Sequence, residues 1–437
     1  GGRYIAVVEE RQLEQFANRG YDVLDKIRAL DPSVSLSMSI GVGRGARTLR
    51  EAQDMAEHAL DMAQGRGGDQ AAEMTLDGFT FYGGVSHGVE KRSKVRSRLV
   101  ADQLVKLIKE ADHVVIMGHR MSDLDAIGAA EGVLRICKIC DVPAVIAVRR
   151  DATLAASLID ALCKAGQKDD FIDPKDALPI ISKRTLCIVV DTYQAGLVES
   201  KDILEKCGKV AVIDHHRKGV GYIENPALVC HEPYSSSASE LVTELLQYVG
   251  ERDDKPNRVE AEGLLAGILL DTQDFTLHTG VRTFEAAAAL RRYGAETERV
   301  RRLFDVTMVE YNAKADLVEK AQMYKNCAIS IGGEVAPEAR VAIAQAANDL
   351  LRIQGVDASF VAVQVGNGVN VSARSMGAVN VQVIMESLGG GGHQTMAAAQ
   401  LKHITPQAAR SRIQDAIDQY YLSQKKTTPE ARPAKGE

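Results

Sequence analysis

The sequence predicts an α/β protein in which a parallel-sheet domain is preceded by a partial α/β unit and followed by a smaller α/β domain. Between residues 111 and about 275, nearly continuous apolar segments (HVVIMG, AVIAV, LCIVVD and VAVID) alternate with helical patterns. This alternation is typical of a parallel sheet covered by helices on both faces. A second, shorter set of helix and strand patterns begins near residue 336. The chain has 437 residues and is 45% apolar, which suits two or three domains of about 150 residues each.

Residues 1–83 are expected to form the small unit at the amino terminus. The pattern predicts a strand at 4–8 and a helix at 10–30. Apolar and polar residues alternate with period two over 34–42, which predicts a second strand. Apolar residues recur at helical spacing over 49–64, and the glycines that follow predict the end of this helix.

Residues 84–110 are expected to form a linker helix that leads into the parallel-sheet domain. Its first part contains the basic sequence KRSKVRSR at 91–98. We interpret this sequence as the solvated start of the helix, with contact to phosphate as the alternative. The parallel-sheet domain is then expected over 111–325, and its last part, 280–325, reads as connecting helices.

The third domain is predicted over residues 336–422. We expect a helix at 337–353, strands at 358–365 and 368–374, and then the sequence GGGGH. Residues 423–437 are rich in Lys, Pro and Glu and have no apolar period, so we expect a disordered tail.

The composition argues against several classes of protein. The net charge of -6 is unlike that of a protein that coats nucleic acid, which is normally basic. The seven scattered cysteines indicate a reducing compartment, and the C-x-x-C at Cys137 and Cys140 has no second pair to complete a zinc site. No segment approaches the ~18 apolar residues of a membrane span, and no signal peptide is visible. Because the chain begins with Gly-Gly and no Met, we expect a fragment of a longer protein.

Histidine and aspartate side chains follow the apolar segments, where parallel strands place ligand-binding residues. Carboxylates gathered at one edge would repel each other unless a cation lay between them. Imidazole with carboxylate suits Mn²⁺, with Mg²⁺ or Co²⁺ as alternatives, and the lack of thiolates argues against a structural zinc. We place all of these residues at predicted strand ends: His119, Asp123 and Asp125 after HVVIMG, Asp191 after LCIVVD, Asp214, His215 and His216 at the end of VAVID, and Asp271 after LLAGILL.

A second candidate site lies in the third domain. Consecutive glycines let backbone N–H groups approach phosphate oxygens, although a glycine segment taken alone is more often a flexible turn. Arg374, Ser375 and Asn380 come shortly before the segment Gly390, Gly391 and Gly392, and His393 follows it directly. Ser237 and Glu240 have the S-x-x-E spacing of a helix capping box, a structural interpretation that leaves room for a role in lining the site.

The series HxxxDxD, Asp, DHH and Asp resembles the four motifs of the DHH phosphoesterase superfamily, and RSxGxxN with GGGGH resembles its C-terminal DHH-associated domain. Together the two resemblances cover about residues 100–422. They imply a phosphodiesterase with two divalent ions, Mn²⁺ foremost, in which substrate binds across a cleft between the domains. The substrate-binding residues implied by the second resemblance are Arg374, Ser375, Asn380, Gly390, Gly391, Gly392 and His393. One ion would be held by His119, Asp123 and Asp191, and the other by Asp125, Asp191, His215 and Asp271.

The same resemblance implies roles for individual residues in the reaction. Asp191 would bridge both ions, and the ions would activate a water for in-line attack. His216 would lie near the scissile phosphate, so Asp191 and His216 are the expected catalytic residues. Asp214 would orient its neighbours.

The N-terminal unit indicates which members of the superfamily the chain resembles. SLSMSIGVGRG followed by EAQDMAEHALDMAQGRGGDQ resembles the closing half of a GGDEF domain, but the GGDEF signature is absent, so no cyclase activity is implied. A GGDEF remnant before DHH and its associated domain resembles membrane-bound cyclic di-AMP phosphodiesterases. That family implies hydrolysis to linear pApA, a homodimer, and a membrane anchor and a PAS domain upstream. The expected location is the cytoplasm, and the cytoplasmic face of the membrane in the full-length parent.

Three alternatives share parts of this pattern. A nanoRNase or exonuclease on short linear oligonucleotides would use the same metal site. A manganese pyrophosphatase would lack the GGGGH domain. A nucleotide sensor without activity would have lost a ligand, whereas every expected ligand is present in this sequence. The base preference and the metal used in the cell stay open.

Overall fold

The computed structural model describes residues 4–30, 36–66, 68–83, 94–216, 221–251, 254–334, 341–392 and 395–427. The chain forms two compact units, Gly1–Phe304 and Asp305–Glu437. Among the described residues, none of the helices combines the length and the apolar character needed to cross a membrane.

The first unit contains twelve α-helices and nine strands among its described residues. The helices are α1 Glu10–Asn18, α2 Val23–Arg28, α3 Leu49–Gly65, α4 Lys94–Glu110, α5 Leu124–Ile139, α6 Ala156–Leu162, α7 Pro174–Ala177, α8 Lys201–Lys206, α9 Ala238–Leu246, α10 Arg258–Thr272, α11 Val281–Arg292 and α12 Thr297–Arg302. The strands are β1 Ile40–Gly43, β2 Gln70–Thr75, β3 Gly78–Gly83, β4 His113–Met117, β5 Ala144–Ala147, β6 Phe171–Ile172, β7 Thr185–Val190, β8 Lys209–Asp214 and β9 Leu228–His231.

The N-terminal part of this unit differs from the prediction. Residues 4–8 form no strand, because no described strand pairs with them, and Tyr4 is 90% exposed. Residues 10–30 form two helices rather than one, because the left-handed backbone of Gly20 and Tyr21 (φ 62° and 55°) interrupts the first. β1 is shorter than the predicted strand, and residues 31–35 lie outside the described part of the chain. A three-stranded sheet in the order β1–β2–β3 results.

The central sheet confirms the parallel architecture. Its six strands have the order β6–β5–β4–β7–β8–β9, and every neighbouring pair is parallel. Alternate side chains enter two separate cores: Val114 and Ile116 of β4 pack on one face, and Val115 and Met117 pack on the other. Burial of both faces explains why these strands are apolar without interruption.

Two helices on one face of this sheet approach each other closely. Two glycines make the approach possible: a Cβ on Gly128 of α5 would lie 2.5 Å from the Gly263 carbonyl oxygen of α10. A Cβ on Gly267 of α10 would lie 2.2 Å from Ser239 Oγ and 2.7 Å from Asp125 Oδ1. The segment LLAGILLDT is therefore part of a buried helix, α10, and the prediction that Asp271 stands at a strand end was wrong. An apolar segment buried on all sides has no period that distinguishes a helix from a strand.

The second unit is built on a mixed six-stranded sheet in the order β10–β11–β12–β13–β15–β14, in which only β11 and β12 run parallel among the described strands. Its strands are β10 Gln322–Tyr324, β11 Cys327–Glu334, β12 Ala358–Val365, β13 Gly368–Ser375, β14 Gly391–Gly392 and β15 Met396–Lys402. Its helices are α13 Met308–Glu319, α14 Val341–Leu350, α15 Val381–Ser387 and α16 Pro406–Thr427.

The boundaries of the second unit differ from those read from the sequence. The unit begins at Asp305, because α13, β10 and β11 pack and pair within it rather than with the parallel sheet. The end of the segment expected to be helical, 322–324, is strand β10. The predicted disordered tail begins within a helix, since α16 continues to Thr427, and residues 428–437 lie outside the described part of the chain.

Candidate metal centre

The loop after β4 presents two side chains with their ligand atoms turned inward. His119 Nδ1 lies 2.8 Å from the carbonyl oxygen of Arg120. A carbonyl only accepts, so Nδ1 carries the proton and Nε2 keeps its lone pair for a metal. Asp123 caps α5, because its Oδ1 accepts from the backbone N–H groups of Asp125 and Ala126 at 3.0 and 3.1 Å. Its Oδ2 lies 3.8 Å from His119 Nε2.

Asp191 follows β7 and is buried at the centre of the cluster. Its backbone is left-handed (φ 58°), a conformation that Asp tolerates better than most residues. Its Oδ2 lies 3.4 Å from Nε2 of His119, and its Oδ1 lies 3.3 Å from Nε2 of His215. The two oxygens of one carboxylate therefore face two different histidines.

The Asp-His-His sequence lies at the end of β8, where Asp214 is the last residue of the strand. Asp214 is fully buried, and its Oδ1 lies 2.8 Å from Nδ1 of His216. This contact orients the His216 ring, as the resemblance implied for Asp214. His231 of β9 also holds this loop, because its Nε2 donates to the carbonyl oxygen of His216 at 2.5 Å. No motif in the sequence pointed to His231.

Asp125 and Asp271 come from helices rather than from strand ends. Asp271, in the last turn of α10, places Oδ2 3.1 Å from Nε2 of His215. Asp125, in the first turn of α5, places Oδ2 3.9 Å from the same nitrogen. His215 thus faces both carboxylates.

The first residues of α9 hold the Asp125 carboxylate, a contact that sequence reasoning did not identify. Oδ2 accepts from the N–H of Ala238 at 2.7 Å, and Oδ1 accepts from the N–H of Ser239 at 2.8 Å. The predicted capping box at Ser237 is only half formed. Ser237 Oγ accepts from the N–H of Glu240 at 3.0 Å, but the Glu240 side chain reaches Ser236 instead of the Ser237 backbone.

These side chains form three overlapping groups that could hold metal ions. In each group the candidate ligand atoms lie within 4.8 Å of one another. The structure thus brings all six predicted ligands and His216 together. The groups are His119, Asp123 and Asp191; Asp125, His215 and Asp271; and Asp191, His215 and His216.

The polar atoms at the centre of the cluster fit a cation. Asp191 Oδ1 and His215 Nε2 are buried, and although they lie 3.3 Å apart, neither atom makes a hydrogen bond of good geometry with a described residue. Unpartnered buried groups of this kind are costly unless something else satisfies them. A divalent ion would satisfy both an oxygen and an imidazole nitrogen, so the donor set matches a metal centre.

Burial and the neighbouring charged groups shift the pKa values of the side chains in the cluster. Burial, and then the charges of Asp191 and Asp271, raise the pKa of Asp125 well above its usual value. Burial opposes ionisation of Asp191 as well, but His119 and His215 hold its pKa well below the usual range. Burial lowers the pKa of His119, but the neighbouring carboxylates of Asp123 and Asp191 outweigh it and raise the pKa to about 12. The carboxylates thus require positive charge, which protons supply where no metal is bound.

In the second unit, Arg374 lies near the end of β13 with its guanidinium largely buried. Its Nε donates to Asn348 Oδ1 at 3.1 Å, and its Nη1 donates to Ser372 Oγ and to the Ala373 carbonyl oxygen at 3.1 and 2.9 Å. Burial lowers its pKa to about 10. No carboxylate of the described residues pairs with it, and such a cation is suited to an anionic ligand.

Two other predicted substrate residues have structural contacts. Ser375 is fully buried, and its Oγ accepts from the N–H groups of Gly377 and Val379 at 3.0 and 3.3 Å. Its hydroxyl holds the loop after β13, and its predicted contact with substrate stays a prediction. Asn380 caps α15 through Oδ1, and its own N–H donates to Tyr420 at 3.0 Å.

The glycine segment is shaped mainly by close strand packing. A Cβ on Gly390 would lie 2.1 Å from the Ala398 carbonyl oxygen, and one on Gly392 would lie 2.4 Å from the Ala397 Cα. A Cβ on Gly391 would meet nothing within 4 Å, so this residue has open space beside it. His393 lies outside the described residues, and its predicted role stays a prediction.

Comparison with known proteins agrees with this organisation. The chain matches three family models: the DHH family, N-terminal domain, over residues 113–268; the cyclic-di-AMP phosphodiesterase GdpP-like GGDEF domain over 1–77; and the DHHA1 domain over 336–422. A solved structure of an exopolyphosphatase-related protein from Bacteroides fragilis has the same fold, with a TM-score of 0.64 at 20% identity. The match covers 75% of this chain and 98% of that chain.

Two curated relatives differ in how similar they are to this chain and in how much of it they match. The chain is 44% identical over 427 residues to the cyclic-di-AMP phosphodiesterase GdpP of Geobacillus thermodenitrificans, covering 96% of this chain and 65% of the relative. It is 27% identical over 341 residues to the bifunctional oligoribonuclease and PAP phosphatase NrnA of Thermus thermophilus, covering 75% of this chain and 95% of the relative. The chain thus spans just under two thirds of the length of the GdpP relative.

The parallel sheet, the cluster of histidines and aspartates beside it and the DHHA1 match define a DHH-family protein, and the chain belongs to this family. Within this family, the GdpP-like GGDEF match and the 44% identity over 96% of the chain identify the GdpP type. The resemblance read from the motifs is confirmed.

Proposed function

We propose that this chain hydrolyses cyclic di-AMP to linear pApA with two divalent ions, Mn²⁺ foremost. The observation that carries the proposal is the set of overlapping His/Asp groups that share Asp191 and His215. The 44% identity to a cyclic-di-AMP phosphodiesterase supports the substrate.

We assign the ligands as the motifs implied. His119, Asp123 and Asp191 would hold one ion, and Asp125, Asp191, His215 and Asp271 would hold the other. When bound, two divalent cations neutralise phosphoryl oxygens and lower the pKa of an attacking water.

The residues of the chain prepare this chemistry. Asp191 turns its two oxygens toward two histidines, so the two groups share one carboxylate. Arg120 and Asp214 fix the rings of His119 and His216 through Nδ1. The side chain of His216 is 40% exposed, and we propose that its Nε2 holds a proton at a phosphate oxygen.

Product analysis tests the substrate directly. The purified chain with Mn²⁺ is offered cyclic di-AMP, cyclic di-GMP and pApA in separate reactions. We expect pApA to accumulate from cyclic di-AMP, no turnover in EDTA, and recovery on addition of Mn²⁺. No turnover of cyclic di-AMP in Mn²⁺, or turnover unaffected by EDTA, contradicts the proposal.

The second candidate is cleavage of short linear oligonucleotides. It is favoured by the similarity to NrnA, which covers 95% of that protein. If the chain cleaves pApA much faster than cyclic di-AMP, the assignment moves to this activity.

We also propose that the chain forms a homodimer and that its full-length parent is anchored at the cytoplasmic face of the membrane. Support for both comes from the GdpP-type resemblance. Light scattering of the purified chain and fractionation of cells with the full-length parent test the two points. A monomer, or a parent found only in the soluble fraction, would contradict the respective proposal.

A further inference from the structure

The position of the Asp125 carboxylate is set by the first turn of α9. The side chain is fully buried, and each of its two oxygens accepts one backbone N–H, from Ala238 at 2.7 Å and from Ser239 at 2.8 Å. Two bonds to adjacent backbone groups fix both the location and the rotation of a carboxylate. The positive end of the helix dipole adds a favourable interaction with its charge. If the first turn of α9 moves, the Asp125 carboxylate moves with it.

The first turn of α9 is in turn fixed by Glu240. Its side chain is buried and accepts from four groups: Oε1 from Ser235 Oγ at 2.8 Å, and Oε2 from Ser236 N at 3.2 Å, from Ser236 Oγ at 2.6 Å and from Thr283 Oγ1 at 2.7 Å. The bonds to Ser235 and Ser236 hold the turn before α9. The bond from Thr283 attaches the turn to α11.

We propose that Glu240 and Thr283 are positioning residues of the metal centre, acting on Asp125 through the first turn of α9. The inference rests on the proposed function, because it assumes that Asp125 is a metal ligand. Neither residue belongs to any of the three groups of candidate ligands. The effect is transmitted through backbone N–H groups, whose chemistry does not depend on the side chains of Ala238 and Ser239.

The arrangement makes a selective prediction about the two ions. Loss of Glu240 should loosen the ion held by Asp125, His215 and Asp271. The group of His119, Asp123 and Asp191 is assembled by α5 and by the loops after β4 and β7, so it should be retained. A purely structural role would reduce stability without distinguishing between the two groups.

Manganese binding to the whole chain tests this selectivity. Equilibrium dialysis and electron paramagnetic resonance give the number of bound Mn²⁺ ions and their affinities, independently of activity. We expect two sites in the wild type. In Glu240→Ala we expect one site unchanged and one weakened by about 10- to 100-fold, the range typical of residues that orient metal ligands. Glu240→Gln should recover most of the affinity, because the amide oxygen can accept at one position and the NH₂ can donate to Ser235 Oγ.

Thr283 provides a second pair of variants with a smaller structural change. Thr283→Val removes the hydroxyl at similar size, whereas Thr283→Ser keeps it. We expect weaker binding at the same site in the valine variant and near wild-type binding in the serine variant. This pair keeps the test decisive if Glu240→Ala does not fold.

Glu244→Ala is the matched control. Glu244 lies one turn further along α9 and is bonded to Arg282 of α11 and to Ser97 of α4, so its loss also breaks contacts between helices. We expect both Mn²⁺ affinities to be unchanged. If the Glu240 and Thr283 variants bind two ions as the wild type does, or if Glu244→Ala weakens the same site equally, the inference is wrong. A wild type that binds no Mn²⁺ would instead reject the proposed function.

Discussion

At the residue scale, Asp191 combines an unusual backbone with a central position. Its φ of 58° is left-handed, and its carboxylate faces both His119 and His215. Asn and Asp adopt this backbone more readily than other residues with side chains. Substitution by Asn therefore keeps the shape and the backbone and removes only the charge.

We predict that Asp191→Asn is the most damaging single change among the proposed ligands. The carboxylate serves both groups, so its loss weakens both. Loss of several kcal/mol of electrostatic stabilisation lowers kcat on the order of a thousandfold. Steady-state kinetics with a Mn²⁺ titration measures the effect. A variant that retains two ions and near wild-type kcat would contradict the shared role of Asp191.

The second residue-scale prediction concerns Arg374. Arg374→Ala should lower kcat/KM by about ten- to a hundredfold, because a charge-assisted hydrogen bond contributes about 1.5–3 kcal/mol. Mn²⁺ binding should be unchanged, since the residue lies in the other unit from the candidate ligands. Arg374→Lys should recover only part of the loss, because an ammonium lacks the planar fork of donors. Unchanged kinetics of Arg374→Ala on cyclic di-AMP would exclude a substrate contact.

Individual residues also show what the sequence could and could not reveal. Asp191 and His215 follow apolar segments that form buried strands, so their shared edge was predictable. The roles of Ala238 and Ser239 were not, because they act through backbone N–H groups that every residue except proline carries. Ser375 was assigned to substrate from its motif, and the sequence could not reveal that its buried hydroxyl accepts from two N–H groups of the following loop.

At the scale of elements, α5 and α10 share a buried acidic contact away from the metal centre. Glu131 of α5 accepts from Gln167 Nε2 at 2.5 Å, and the same nitrogen donates to Glu260 of α10 at 3.0 Å. Arg135 pairs with Glu260. Burial, and then the charge of Glu260, raise the pKa of Glu131 to about 8.

This raised pKa predicts a pH dependence of stability. In the unfolded chain Glu131 ionises near its ordinary pKa of 4.5, whereas the folded chain keeps the proton until about pH 8. Its contribution to stability is therefore fully present below pH 4.5 and is lost as the pH rises to 8. Glu131→Gln cannot ionise. We expect the free energy of unfolding of Glu131→Gln, taken relative to that of the wild type, to rise by about 1 kcal/mol per pH unit between pH 5 and 8.

Urea unfolding of both proteins in EDTA at pH 5.5, 6.5 and 7.5 measures this difference. The metal ligands titrate equally in both proteins, so their contribution cancels. Glu205→Gln, an exposed change on α8, is the control and should show no pH-dependent difference. Parallel pH curves for the wild type and Glu131→Gln would show that Glu131 is ionised in the fold.

Elements also differed in how well their type could be predicted. The strands of the parallel sheet were identified because each is short, apolar and followed by a polar loop. The segment 264–270 is equally apolar, but it lies within α10, which packs against α5 and α9. Only glycines at that crossing allow the approach, and their partners are distant in sequence.

At the scale of the whole molecule, the candidate ligands are confined to one part of the first unit. They lie between His119 and Asp271, and no group of this kind includes residues 4–83 in the described part of the chain. The strands of the N-terminal part form their own three-stranded sheet. The order of domains was predictable from motifs, but the start of the second unit at Asp305 depends on which sheet α13 and β11 pack against.

We therefore predict that removal of residues 1–83 leaves hydrolysis of cyclic di-AMP within a few-fold of the full chain. Circular dichroism and Mn²⁺ binding establish that the truncated protein is folded and loaded. The full chain should also form no cyclic dinucleotide from ATP or GTP. A folded, loaded but inactive truncation would assign a catalytic role to the N-terminal part.

The distribution of the candidate ligands has a consequence for synthesis of the chain. The six side chains come from loops and helices separated by up to 152 positions, from His119 to Asp271, so no short segment can assemble the centre. A growing chain gains the complete set only after α10 has left the ribosome, but before the second unit, which begins at Asp305, has been made. A ligand that binds only the native state stabilises it by mass action. Metal supply during translation would then favour completion of the first unit before the second begins to fold.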